Sequence, residues 1–146
     1  MGNRFVSIYI GGEPVAQGRP RFTSLNGMPR AIDPKRSRDY KSLLRLEAGR
    51  VMKENNLLPT DKPLSVWIKV TKTPPKSWSK KKLKQLEEGW GFPITSKPDL
   101  DNYIKVLDGL NGIVWKDDNQ VWEIRARKQY SMSSGMEIEV YEEEFI

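Results

Sequence analysis

The side chains most able to do chemistry lie in two short stretches. One is Lys97-Pro98-Asp99-Leu100-Asp101-Asn102-Tyr103-Ile104-Lys105; the other is Trp115-Lys116-Asp117-Asp118-Asn119-Gln120-Val121. The chain has no cysteine and no histidine. Thiolate nucleophiles, serine–histidine triads, histidine bases and Cys/His zinc sites are therefore excluded. A metal ion must rest on oxygen ligands, and carboxylates favour Mg²⁺, Mn²⁺ or Ca²⁺. Catalytic groups are confined to Asp, Glu, Lys, Tyr, Ser and Thr.

Whether the carboxylates can converge depends on the backbone. Two residues turn an α-helix by about 200°, which would send Asp99 and Asp101 to opposite sides. In extended chain, residues two apart point the same way. Pro98 favours an extended approach, with the helix beginning just after it. Asp99 is thus expected on that approach and Asp101 at the helix start. Asp118 is expected at a turn just before a strand, which can return beside the helix. Three carboxylates from two segments could hold one or two Mg²⁺ ions, with positions open for water and a phosphate oxygen. Lys105, one turn beyond Asp101, could steady the phosphate, the attacking hydroxide or the leaving oxygen. Each residue also has a plain structural role open to it. Asp99 or Asp101 could cap the helix, Asp101–Lys105 could be an exposed ion pair, and Asp117-Asp118-Asn119 could be a turn. Geometry alone leaves both alternatives standing.

The elements that must position these residues follow from periodicity. Val6, Ile8 and Ile10 alternate with Phe5, Ser7 and Tyr9, a strand over 4–10 ended by Gly11, Gly12 and Pro14. Residues 16–38 are rich in Arg, Lys, Gly and Pro and read as a long basic loop. Ser37 is the expected N-cap of a helix running to about Asn55, with Tyr40, Leu43, Leu44, Ala48, Val51 and Met52 as its apolar stripe. A strand spans 64–71, and residues 73–98 form a Pro- and Lys-rich excursion with a short polar helix over 79–88. A further helix is expected over 101–110, its stripe made of Leu100, Tyr103, Ile104, Leu107 and Leu110, with Asn111-Gly112 as the stop. Strands over 120–130 and 136–141 close the chain. The order β-α-β-(α)-α-β-β predicts an α+β fold, helices on a mixed sheet, as one domain over residues 1–146.

The chain carries 25 basic and 19 acidic residues, a net charge of +6. That balance favours a polyanionic partner. Arg19, Arg21, Arg30, Lys35, Arg36 and Arg38 crowd the first loop, and Lys80, Lys81, Lys82 and Lys84 the second. Clustered cations suit phosphate contacts, though a solvated charged face is the alternative for the lysine run. Among the tryptophans, Trp67, Trp115 and Trp122 are expected in the core or an interface, and Trp78 and Trp90 are candidates for stacking on bases. No apolar run nears the roughly 20 residues of a membrane span; a cytoplasmic location is the expectation.

Pro98-Asp99-Leu100-Asp101-Asn102, Lys105, Leu110-Asn111-Gly112, Trp115 and Asp117-Asp118-Asn119-Gln120-Val121 together resemble the signature of the RusA-type Holliday junction resolvases. The likeness is most specific over residues 97–121 and looser over 4–71, where the Gly18-Arg19-Pro20-Arg21 loop and the first helix fit the family layout. It implies a small homodimeric endonuclease that cuts four-way DNA junctions with Mg²⁺ or Mn²⁺. By the same resemblance Asp99, Asp101 and Asp118 match the family's metal-binding aspartates and Lys105 its essential lysine. It assigns no role to Asp108, Asp117 or the 73–98 excursion. A PD-(D/E)xK nuclease template fits less well, because Glu123-Ile124-Arg125 lacks the lysine. A basic DNA-binding module without catalysis is the main competitor, and a nucleotide phosphohydrolase the third possibility.

Overall fold

A computed structural model describes residues 2–25 and 27–144. Strand β1 (Asn3–Gly11) places Val6, Ile8 and Ile10 on a buried face, as its alternation requires. Strands β2 (Arg21–Leu25) and β3 (Met28–Ile32) follow, then helix α1 (Lys35–Glu54) and strand β4 (Leu64–Lys72). Helix α2 (Lys80–Glu87) and helix α3 (Leu100–Ile104) lead into a 3₁₀ segment (Lys105–Leu110). A 3₁₀ turn (Asp118–Gln120) precedes β5 (Val121–Tyr130), and β6 (Gly135–Glu142) ends the fold.

The main sheet has the order β1-β6-β4-β5. β6 runs antiparallel to both of its neighbours, whereas β4 and β5 are parallel. Parallel strands need a long crossover, and that crossover, residues 73–120, carries the candidate site. The α+β expectation holds: helices cover one face of a mixed sheet. Tyr40, Leu44, Ala48 and Met52 recur every four residues along α1 and are buried. They belong to one core with Val66, Ile68 and Val70 of β4 and Met136, Ile138 and Val140 of β6. No described helix is long and apolar enough to cross a membrane.

Three local expectations need correction. The basic loop contains a two-stranded hairpin, β2 against β3. It escaped the periodicity criterion because β3 buries no face: each of its residues is exposed. Helix α1 begins at Lys35 after Pro34, not at Ser37. The buried Ser37 hydroxyl accepts the Gly18 N–H at 2.9 Å and donates to the Ala16 carbonyl at 3.4 Å, a tertiary use in place of a cap. The helix expected over 101–110 is α-helical only to Ile104 and then tightens. At three residues per turn Val106 joins Tyr103, Leu107 and Leu110 in the core, while Leu100 and Ile104 are half-buried.

Candidate active site

Asp99 has extended backbone (φ −64°, ψ 146°) immediately before α3, and Asp101 lies in the helix's first turn. The two-residue step thus joins extended to helical chain, as the sequence required. Neither carboxylate is buried, and Asp99 makes no side-chain cap bond to the helix it precedes. Lys105 closes the next turn, its ammonium 3.8 Å from Asp101 and 3.4 Å from the Asn102 side-chain oxygen.

On the β5 side, two adjacent aspartates divide their duties. Asp117 accepts the Asn119 N–H at 3.0 Å, while the Gln120 side-chain oxygen accepts the Asp117 N–H at 2.8 Å, a reciprocal capping box. The Gln120 amide also donates to the carbonyls of Thr60 (2.9 Å) and Lys62 (3.0 Å), which fastens the turn to the chain entering β4. Asp117 is therefore structural, and Asp118 is left to face outward. Asp117 at the N-cap with Gln120 three residues on is a capping signature legible in the sequence, and it separates the two acids.

Lys105 and Asp118 line one cleft of about 770 Å³, together with Arg19, Asp33, Lys41 and Asp108. The Asp118 carboxyl titrates above the usual aspartate range, through burial first, then through its neighbour Asp117, with Asp108 adding and Asn111 opposing. Negative charge is thus concentrated where a cation would relieve it. Asp99 and Asp101 stand outside the cleft lining, and Asp101 is linked to it through Lys105. Among the described residues no three carboxylates stand close enough together to hold a metal ion. The carboxylate oxygens of Asp99, Asp101 and Asp118, which come from two separate segments, are of the chemical type that suits Mg²⁺ or Mn²⁺.

Several residues that hold the site were not singled out from the sequence. Lys41 of α1 pairs with Asp108 at 3.0 Å and with Asp33 at 3.8 Å. The Gln17 N–H donates to the Asn102 carbonyl at 2.8 Å, so the Gly18-Arg19 loop is hydrogen-bonded to α3. Arg45 donates to the carbonyls of Gly109 and Asn111. No helical or strand spacing announces these contacts, because all but the Lys41–Asp33 pair join residues distant in the chain.

Among the described residues, Arg19 is the one expected DNA-contacting cation that lines the cleft. Arg30 is exposed on β3. Lys35 pairs with Asp39 and Arg36 with Glu13, both in solvent. The Arg21 side chain lies outside the described residues. Lys80 and Lys81 are exposed on α2, away from the cleft lining, and the Lys82 ammonium lies 4.0 Å above the Trp78 ring. Only Trp115 of the tryptophans is in the core; Trp67, Trp90 and Trp122 are exposed. Trp78 packs edge-on against Phe92 and Tyr130.

Comparison with known proteins supplies what geometry leaves open. The family model described as Endodeoxyribonuclease RusA matches residues 11–141. The chain belongs to the RusA endodeoxyribonuclease family. It is also similar to the uncharacterized protein YqaN of Bacillus subtilis (strain 168), 39% identical over 140 residues that cover 94% of this chain and 96% of the relative. The RusA match takes in the cleft, both walls that carry its acids and the basic hairpin. It makes the chain a nuclease by family, built on a RusA scaffold whose cleft holds Lys105 and Asp118.

Proposed function

We propose that the chain is a Mg²⁺- or Mn²⁺-dependent endonuclease that resolves four-way DNA junctions as a homodimer, in recombination and repair. The observation that carries this is the meeting of Lys105 and Asp118, from separate elements, in one cleft bordered by Asp101 and lined by Arg19. Asp99, Asp101 and Asp118 would hold the metal. When bound, the metal supplies an activated water and neutralises charge that develops on phosphorus-bound oxygens.

The protein's own groups do the rest. Arg19 and the hairpin cations hold phosphates of the substrate strand. Lys105 stabilises the phosphoryl or leaving oxygen. The water oxygen forms its bond to phosphorus, the P–O3′ bond breaks, and a proton ends on the 3′ oxygen. The products are 5′-phosphate and 3′-hydroxyl ends, which a ligase can rejoin. A two-fold dimer would present two such clefts to opposed strands of a junction and so give paired nicks.

The test is a labelled immobile four-way junction beside its matching linear duplex, with Mg²⁺ or with EDTA, resolved on denaturing gels. Paired symmetric nicks are expected only on the junction and only with metal. Asp101→Asn should abolish cutting while retaining junction binding, because it removes a negative charge near phosphate. Binding with no cut in either Mg²⁺ or Mn²⁺ would establish a non-catalytic DNA-binding module in its place.

A further inference from the structure

The segment leading to Asp99 is held to β5 in two ways. Up to Ile94 the hold is backbone: Tyr130 N–H donates to the Phe92 carbonyl at 2.9 Å, and Ile94 N–H to the Lys128 carbonyl at 3.1 Å. A bridge between Pro93 and Gln129 shows that the chain runs antiparallel along the edge of β5. Beyond Ile94 a side chain takes over. The Lys128 ammonium donates to the Ser96 carbonyl and to the Pro98 carbonyl, both at 2.7 Å. These two acceptors flank Lys97, and the second is the peptide carbonyl joined directly to Asp99.

Charge-assisted bonds of this length are about twice as strong as neutral ones. An ammonium with three donors can gather two carbonyls that no strand ladder reaches. Lys128 lies on the β5 face shared by Ile124 and Ala126, and Ile124 lines the cleft. The strand that begins beside Asp118 therefore also fixes the approach to Asp99.

We propose that Lys128 is a positioning residue for the acidic site: it clamps the 96–98 turn onto β5 and so sets where the Asp99 carboxylate stands relative to Asp118. The assignment rests on the metal-site role proposed above for Asp99. Lys128 touches no substrate; it acts through the backbone it holds. Partners that orient metal ligands typically change metal affinity or activity by about 10- to 100-fold when lost.

The experiment is Mn²⁺ binding to the purified full chain without DNA, by electron paramagnetic resonance or calorimetry, for wild type, Lys128→Met and Lys128→Arg. Junction binding in EDTA and thermal melting are measured alongside. Lys128→Met is expected to weaken Mn²⁺ binding by about tenfold or more, with junction binding within twofold of wild type (about 0.4 kcal/mol). Lys128→Arg, which keeps a charged donor, should restore most of the affinity. In an Asp99→Asn background Lys128→Met should no longer weaken the binding that remains. A folded Lys128→Met protein with wild-type Mn²⁺ affinity overturns the proposal, as does a lower melting temperature with affinity untouched. If Lys128→Met does not fold, Lys128→Gln carries the same comparison. Failure of the wild type itself to bind Mn²⁺ would instead remove the metal-site role, and the clamp's purpose with it.

Discussion

The Lys41 ammonium lies 3.0 Å from an Asp108 oxygen, joining the second turn of α1 to the 3₁₀ segment that starts at Lys105. Asp33, at the exit of the hairpin, stands 3.8 Å from the same ammonium. The Lys41 side chain is 17% exposed against 51% for Asp108, so the cation bears most of the desolvation and its partners sit in water. Lys41→Met should cost about 1–2 kcal/mol in a denaturant titration, more than an exposed pair and less than a fully buried one. An unchanged midpoint would show the bridge to be solvated through.

The raised titration of Asp118 has a sign that can be worked out. Its folded-state value lies above its unfolded one. The folded protein thus holds that proton more tightly, and the contribution favours the fold at low pH and disappears as pH rises through the raised value. Above it, the carboxylate is charged against its surroundings. With Asp118 as the metal ligand proposed above, the ion should be lost to protons at a higher pH than from an ordinary aspartate, whose value is about 3.9, read as Mn²⁺ affinity against pH.

Asp117→Asn keeps an oxygen for the Asn119 N–H and removes the charge beside Asp118. Asp118 should then titrate closer to the ordinary aspartate range, read from its carboxyl carbon by NMR. An unmoved titration would leave burial, the first of its causes, to explain the whole shift.

What the sequence made legible depended on how local the determinants were. Asp99 and Asp101 were placed correctly because Pro98 and a two-residue step are local facts, and the extended φ and ψ of Asp99 agree with them. Strands β1, β4 and β6 bury one face, and their alternation shows it. Strand β3 buries none and left no alternation to find. Ser37 has the composition of an N-cap, yet its hydroxyl is engaged by Gly18, nineteen residues earlier in the chain. Lys41 and Lys128 look like ordinary surface cations in sequence; only the folded chain brings Asp108 and the Ser96 and Pro98 carbonyls to them.

Trp115 offers a test of how the Asp118 segment is anchored. It is fully buried, and its indole N–H donates to the Asn111 side-chain oxygen at 2.6 Å. Asn111 is also the group that opposes the upward shift of Asp118. Trp115→Phe keeps an aromatic body but leaves that oxygen without its donor, a loss of about 1–3 kcal/mol. Trp115→Ala adds a cavity, for about 3–5 kcal/mol in all. Thermal or denaturant unfolding gives both numbers, and a Trp115→Phe protein as stable as wild type would mean that the hydrogen bond contributes nothing.

Salt dependence can separate cations that meet phosphate from cations already engaged. Each phosphate neutralised on a duplex contributes about −0.9 to the slope of log affinity against log salt. Arg19 lines the cleft and Arg30 is exposed on the hairpin, whereas Lys82 lies over the Trp78 ring. Junction binding measured in EDTA over a range of KCl should therefore lose about one unit of slope in Arg19→Ala and in Arg30→Ala. Lys82→Ala should leave the slope near wild type, because its ammonium is committed to an aromatic face. A full unit lost at Lys82 with none at Arg19 would place the DNA on α2 and away from the cleft, and would separate phosphate binding from the acids proposed to cut.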